Sequence, residues 1–281
     1  MDIITDCEKM QSIGLKARQT GISLALVPTM GFFHEGHLSL MRWAGNNADK
    51  VVVSLFVNPA QFGPGEDLER YPRDQQRDMD LARSLGVDFF FIPEPDDIYP
   101  PGFDTWVESS GLSRKLCGKS RPGHFRGVAT VVCKLLNIVM PAMAVFGRKD
   151  RQQLLIIRKM VRDLNMPVII EGRPTFREPD GLAMSSRNAY LTPEERKLAP
   201  HIYKGMQMIR SEALSGETGC KELEARLVKY YRENMPGCEI DYVRIAESET
   251  LERPESPGPG TFLAAAVKLG RARLIDNIDL A

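Results

Sequence analysis

The stretch Pro28-Thr29-Met30-Gly31-Phe32-Phe33-His34-Glu35-Gly36-His37 decides how the chain is read. It grows out of the apolar run Leu24-Ala25-Leu26-Val27, which predicts a short buried strand. It leads into Leu38, Met41 and Ala44, whose spacing predicts a helix. A strand, a glycine-bearing turn and a helix start present unpaired N–H groups and the positive end of a helix dipole, a setting suited to a phosphate. Gly31 permits a tight turn, and Gly36 permits a ligand to approach the backbone. His34 and His37 are three apart and share one face of a helical turn. Two imidazoles beside a triphosphate can donate hydrogen bonds and, when protonated, oppose developing negative charge. Two histidines that merely pack or face water are the bland alternative. Zinc is disfavoured because HxxH lacks the glutamate and spacing of a zincin, and no GxxxxGK[ST] occurs. The chain has four histidines, and half of them sit in this turn.

Outward from the turn, strands alternate with helices. Residues 51–57 (VVVSLFV) form a continuous β-branched run, as expected of a strand buried on both faces. A helix is expected over 74–85, a strand over 87–92, and a long apolar helix over 126–140, stopped by Pro141. A strand over 142–146, a helix over 150–165 and a strand over 168–171 follow. This alternation predicts an α/β fold with a doubly wound, Rossmann-like parallel sheet. Ligands bind such sheets at the carboxyl ends of the strands, here the loops after Thr29, Val57 and Phe146. The rhythm changes after about Arg177. Helices are expected over 193–213 and 221–234, strands over 239–246, 261–268 and 271–277, and a hairpin turn at Leu269-Gly270. The expected division is a first domain of 1–176 and a smaller C-terminal α+β domain of 177–281 that serves as a lid.

Composition narrows the function. The 281 residues carry 37 Lys and Arg against 37 Asp and Glu, so a nucleic-acid partner held by phosphate neutralisation is not expected. No run of 18 apolar residues occurs and the start does not read as a secretory leader, so no membrane association is expected. Five scattered cysteines without CxxC spacing suggest reduced thiols in the cytoplasm.

Further polar groups fall at the predicted strand ends. Asn58 and Gln61 follow the 51–57 run, where amides can orient a small polar substrate, although Asn58 beside Pro59 also suits a turn cap. Gly147-Arg148-Lys149-Asp150 opens a helix; Lys149 suits a phosphate, and Asp150 either caps the helix or holds ribose hydroxyls. Met184-Ser185-Ser186-Arg187 offers two hydroxyls and a guanidinium for a polyphosphate tail. Arg121 and His124 lie in a Pro/Gly loop suited to closing a site. Asp78 is a candidate for holding magnesium, with a solvated surface acid as its alternative. His201 has no motif around it.

The segment HEGH resembles the HIGH motif of the nucleotidyltransferase superfamily, and Ser185-Ser186-Arg187 resembles its KMSKS loop. The longer PTMGxxHEGHLSL resembles the start of the pantothenate synthetases. The likeness recurs at FVNPAQFG (56–63), YPRD (71–74), RPGHFRGVATVV (121–132), FGRKDRQQL (146–154), DGLAMSSRNAYL (180–191) and ARLIDN (272–277). It implies an ATP-dependent ligase that activates pantoate as an acyl-adenylate and joins it to β-alanine, with Mg2+ on the phosphates and a homodimer through the first domain. Met30 through His37, Gly147 through Asp150, Phe176 and Met184 through Arg187 are then expected at ATP, with His34, His37, Lys149 and Arg187 assisting the chemistry. Gln61 is implied to contact pantoate and later β-alanine, with Gln153 as its partner. Asn58, Arg121 and His124 complete the expected substrate set. The chain departs from the family's FGEKD[YF]QQ at Arg148 and Arg151, which suits either tighter polyphosphate contact or altered packing. Phe176 stands where a smaller residue is common. A nucleotidylyltransferase of the same fold, or a catalytically impaired homologue, is the alternative these departures leave.

Overall fold

The structure, a computed structural model, describes residues 1–216 and 219–281. Six parallel strands form the larger sheet: β1 (Asp2–Ile4), β2 (Leu24–Thr29), β3 (Lys50–Leu55), β4 (Phe89–Phe91), β5 (Met143–Gly147) and β6 (Ile169–Arg173). Their spatial order is β1-β4-β3-β2-β5-β6. β2 pairs with β3 on one side and β5 on the other, so the chain leaves the centre of the sheet in opposite directions there. That switch point opens a crevice at the carboxyl ends of β2 and β5. Leu24 to Val27 and Val51 to Val53 are buried, as continuous apolar runs require when helices cover both faces.

The helices of this part are α1 (Cys7–Gln19), α2 (Glu35–Asn47), α3 (Gln75–Ser84), the single turns α4 (Pro95–Ile98) and α5 (Cys117–Ser120), α6 (His124–Val139) and α7 (Arg151–Asp163). α2 packs on one face of the sheet through Leu38, Leu40, Met41 and Ala44. α6 and α7 pack on the other through Val128, Val132, Leu135, Ile156 and Ile157. Beyond them come α8 (Pro193–Leu198), α9 (His201–Leu214), α10 (Cys220–Asn234) and an antiparallel sheet of β7 (Glu239–Glu247), β8 (Thr261–Leu269) and β9 (Ala272–Asp279). β8 is central and alternates between two cores. Leu263, Ala265 and Val267 meet α9 and α10, while Phe262 and Ala264 join the core of the larger sheet.

Three expectations needed revision. β1 and α1 were not foreseen: β1 is a three-residue edge strand, too short to show a period, and α1 carries mostly polar residues with only Met10, Gly14 and Ala17 buried. The helix expected over 193–213 breaks into α8 and α9 around Ala199-Pro200, because a proline supplies no N–H to the preceding turn. The strands over 51–57 and 87–92 are shorter than their apolar runs, since only Lys50–Leu55 and Phe89–Phe91 find ladder partners. The hairpin turn lies at Gly270, where φ is +53°. Among the described residues no helix is long and apolar enough to cross a membrane.

The first turn of α6 abuts the short helical turn Pro59–Gln61 so closely that a Cβ on Gly127 would fall 2.2 Å from the Ala60 carbonyl oxygen. Gly127→Ala is therefore expected to lower Tm by about 3–10 °C, from an overpacking cost of about 1–3 kcal/mol in a chain of this size. It should also displace the Gln61 turn. Calorimetry checks the first effect, and an unchanged Tm would show that the turn yields freely.

Candidate active site

The head of α2 is built from its own histidines. His34 is the N-cap residue, in extended backbone (φ −130°, ψ 173°), and its Nδ1 accepts the Gly36 N–H at 3.1 Å. His37 Nδ1 accepts the His34 N–H at 3.4 Å, which closes a reciprocal capping box. Each Nδ1 is thus an acceptor, and the proton of each neutral ring sits on Nε2. The rings lie 4.2 Å apart, centroid to centroid. Burial, then Lys149, pushes His34 down to about 4. Burial, then His34 and Lys149, pushes His37 well below its ordinary range. Both are therefore neutral Nε2–H donors near pH 7 in the free protein. Gly36 has a second use besides the one expected: a Cβ there would come within 2.8 Å of the His34 ring. The glycine makes room for the capping imidazole.

The turn before the histidines is held from α3. Gly31 and Phe32 take positive φ (+86° and +54°). Both oxygens of Asp78 are consumed by this turn, accepting from Phe32 N at 2.6 Å and Phe33 N at 2.7 Å. Arg77 donates to the Phe33 carbonyl at 3.1 Å, and its guanidinium lies over the Phe32 ring. Asp78 is 0% exposed. The structure corrects both readings of this residue: it is neither a magnesium ligand nor a solvated acid, because its carboxylate is spent on backbone. Phe33 is also corrected. It is 1% exposed, packs edge-on to Phe90 in the core and lines neither of the two clefts. Glu35 pairs with Arg42 on the surface of α2.

A cleft of about 220 Å3 opens at the switch point, lined by Met30, His34, Gly36, His37, Gln61, Gly147, Lys149, Asp150, Gln153, Phe176, Met184, Ser185, Ser186 and Arg187 among others. A second cleft of about 360 Å3 shares Met30, Gln61, Lys149, Asp150, Gln153, Ser185 and Arg187 with it and runs towards β8 and β9. Gln61 donates to Met30 Sδ at 2.8 Å and accepts from Asn58 at 3.1 Å. Among the described residues Gln153 makes no side-chain hydrogen bond, so its amide is open to a ligand. Asn58 is not. It is 1% exposed, donates to Gln61 and to the Gly127 carbonyl, and accepts from Ala60 N and Tyr99 OH. With its amide saturated, it positions Gln61 instead of binding substrate.

Arg121 donates to Glu66, to the Gln61 carbonyl at 3.3 Å and to His124 Nε2 at 3.1 Å. His124 Nδ1 then donates to that same carbonyl at 2.8 Å, and burial, followed by Arg121, pushes its pKa down to about 4. These two residues brace the Gln61 turn.

Asp150 starts α7 but makes no side-chain cap among the described residues, which removes the capping alternative and leaves its carboxylate in the cleft, 3.7 Å from Lys149 Nζ. Arg148 turns away and donates to the Gly172 carbonyl on β6 at 3.1 Å. Arg151 pairs with Asp279, donates to Ser248 at 2.8 Å and lies over Phe262. Arg148 does not line the first cleft, and Arg151, tied to the smaller sheet, lines the second. Ser186 is buried with its hydroxyl against Tyr71 OH at 3.1 Å, whereas Ser185 accepts from Arg187 N and keeps its own O–H to donate. Arg187 is held by Asp67 through two hydrogen bonds. Phe176 is 39% exposed at the mouth of the cleft, and its carbonyl takes the Met184 N–H.

With this geometry in view, the comparisons with known proteins bear directly. A family model described as pantoate–β-alanine ligase matches residues 2–279. The chain belongs to that family. It is 54% identical over 280 residues to the pantothenate synthetase of Oleidesulfovibrio alaskensis, spanning 100% of both chains. It is 52% identical to that of Geobacter sulfurreducens, over 100% of this chain and 99% of the relative. The crystal structure of pantothenate synthetase from Thermus thermophilus matches with a TM-score of 0.93 at 43% identity, covering 100% of this chain and 99% of that one. The pantoate–β-alanine ligase from Francisella tularensis, complexed with beta-gamma ATP and β-alanine, matches with a TM-score of 0.82 at 34% identity, covering 100% and 98%.

Several residues that shape this ligase's cleft were not singled out as site candidates from the sequence. Arg77 and Asp67 sit in polar surface-like segments. Gln152, buried, accepts from Cys117 N and donates to the Leu112 and Lys115 carbonyls, so it secures the 112–117 loop. Asn277 donates to the carbonyls of Arg148 and Lys149, both at 2.9 Å. Its place in ARLIDN was the available hint.

Two outcomes follow. Asp78→Ala leaves two N–H groups without partners and is expected to cost about 2–4 kcal/mol in urea unfolding, with ATP affinity falling as the histidine turn loosens. Stability unchanged within error would show that the clamp is dispensable. Because His34 and His124 titrate near 4 in the native state and near the ordinary 6.5 when unfolded, the unfolded chain alone takes up their protons between those values. Their contribution to stability is full above about pH 6.5 and is lost as pH falls towards 4. NMR of the ring Cε1–H groups should show both histidines neutral at pH 5.5; a midpoint near 6.5 for either would contradict the assigned burial.

Proposed function

We infer that this enzyme condenses pantoate with β-alanine at the expense of ATP, through a pantoyl-adenylate, releasing pyrophosphate and then AMP. The observation that carries the reading is the pair of neutral Nε2–H imidazoles at the head of α2, facing a cleft whose other wall holds the Gln61 and Gln153 amides. In the first step the pantoate carboxylate attacks the α-phosphorus. It is already anionic, so alignment and charge stabilisation are the protein's task, with no general base required. His34, His37, Lys149, Ser185 and Arg187 are assigned to the phosphates, Asp150 to the ribose hydroxyls, and Phe176 with Met30 and Gly36 to the adenosine. Gln61 and Gln153 are assigned to pantoate. In the second step the free amine of β-alanine attacks the acyl carbonyl and AMP leaves.

MgATP is the form of the nucleotide that suits this site. Among the described residues no three His, Cys, Asp or Glu side chains converge. A cation carried on phosphate oxygens and water needs few protein ligands. Residues 177–281 act as a lid that keeps water from the mixed anhydride. A homodimer, implied by the family resemblance, and a cytoplasmic location, suggested by the scattered cysteines, complete the proposal.

AMP formation from MgATP is expected to require pantoate and β-alanine together, and His37→Ala is expected to lower its rate about 10²- to 10³-fold. AMP release without β-alanine at the full rate would favour a hydrolase or nucleotidyl transfer instead. Wild-type rates in His37→Ala would remove the histidine pair from the chemistry.

A further inference from the structure

Residues 64–71 bring two adjacent acids against two arginines of the cleft wall. Glu66 takes Arg121, and Asp67 takes Arg187 through Nε at 3.0 Å and Nη2 at 2.9 Å. The Arg187 and Asp67 side chains are only 25% and 18% exposed. The same two segments are joined twice more, by Tyr71 OH with Ser186 Oγ and by Tyr190 OH donating to the Arg70 carbonyl, each at 3.1 Å. Burial alone would push the Asp67 carboxyl up, but the bonds from Arg187 outweigh it and hold it below the usual carboxylate range.

The charges around the polyphosphate side of the cleft therefore cancel. Lys149 and Arg187 are the cations that line the first cleft, and Asp150 and Asp67 answer them. His34 and His37 are neutral. A phosphate arriving at Arg187 meets a guanidinium whose best-oriented fork is already occupied by an anion of similar shape.

We propose that Asp67 is an internal stand-in for polyphosphate, holding Arg187 in the free enzyme, yielding it to the phosphates of ATP beyond the α-phosphate, and reclaiming it when pyrophosphate leaves. The proposal rests on the assignment of Arg187 to phosphate. An exchange of carboxylate for phosphate keeps the guanidinium paired at every stage, which avoids leaving a partly buried charge alone. It also gives the site a selectivity: a nucleotide monophosphate cannot displace Asp67, and pyrophosphate must compete with it to return. Asp67 acts through Arg187 and is a positioning residue.

The test is direct binding of ATP, pyrophosphate and AMP to the full chain and to Asp67→Asn, Asp67→Glu and Arg187→Gln. Asp67→Asn is expected to bind ATP and pyrophosphate about three- to tenfold more tightly, as removal of a competing charge at a close pair implies, with AMP unchanged. Asp67→Glu, which keeps the anion, stays near wild type. Arg187→Gln weakens ATP and pyrophosphate. A gain of affinity is not what a misfolded variant gives, so the sign itself separates the proposal from simple damage. ATP and pyrophosphate bound no more tightly by Asp67→Asn, or AMP shifting equally, would overturn it, as would the same gain in Asp67→Glu. ATP affinity unchanged in Arg187→Gln would instead remove the assignment of Arg187 to phosphate, and the proposal with it.

Discussion

Two backbone N–H groups, those of Phe32 and Phe33, end on the carboxylate of Asp78, and the active-site geometry hangs on that contact. The turn it secures contains a non-glycine residue at positive φ, a conformation that costs energy unless its surroundings fix it. Asp78 lies in the N-terminal half of α3, where a carboxylate is also favoured by the helix dipole. From this anchored turn the chain enters α2 at a fixed angle, so His34 can fold back over Gly36 and His37 can bond the His34 backbone. Tautomer, ring orientation and the direction of the Nε2–H groups are consequences of backbone capping. The residues assigned to the chemistry thus also hold the helix start together, which links folding to function through the same atoms.

A second constraint is charge balance. Carboxylates pair with most of the arginines around the two clefts: Glu66 with Arg121, Asp67 with Arg187, Asp279 with Arg151 and Asp276 with Arg177. Burial keeps the imidazoles uncharged. In the first cleft Lys149 has only a distant partner, Asp150 at 3.7 Å. The first cleft, with Lys149 and Arg187 answered by Asp150 and Asp67, carries little excess charge, which lowers the cost of its partial burial.

The smaller sheet contributes side chains of β8 and β9 to the second cleft. Asn277 bonds the carbonyls of Arg148 and Lys149, and Asp276, itself nearly buried, holds Arg177 at 2.6 and 2.9 Å. β9 therefore fixes the turn that carries Lys149 and Asp150. The two departures from the family pattern fit this arrangement. Arg148 lies along β6, and Arg151 reaches across to Asp279 and Phe262. Neither lines the first cleft, and Arg151 lines the second.

The sequence by itself determined the parallel sheet, because apolar β-branched runs buried on both faces have few other uses, and it determined where ligands would meet that sheet. It also determined the histidine turn, the Lys149 and Arg187 loops and the glutamine pair, whose ordered recurrence tied them to one family. What it could not decide was the partner of each polar group. Asp78 and Asn58 read as ligand-binding candidates, yet their side chains are consumed by backbone and by a neighbouring amide. Asp67 and Arg77 carried no local pattern, yet they hold the cleft wall in place. Hydrophobic period and turn chemistry are local and survive in a string of letters. Hydrogen-bond partners 40 or 120 residues apart in the chain are chosen only when packing brings them together, and in a buried site that choice decides which polar atoms remain for a substrate.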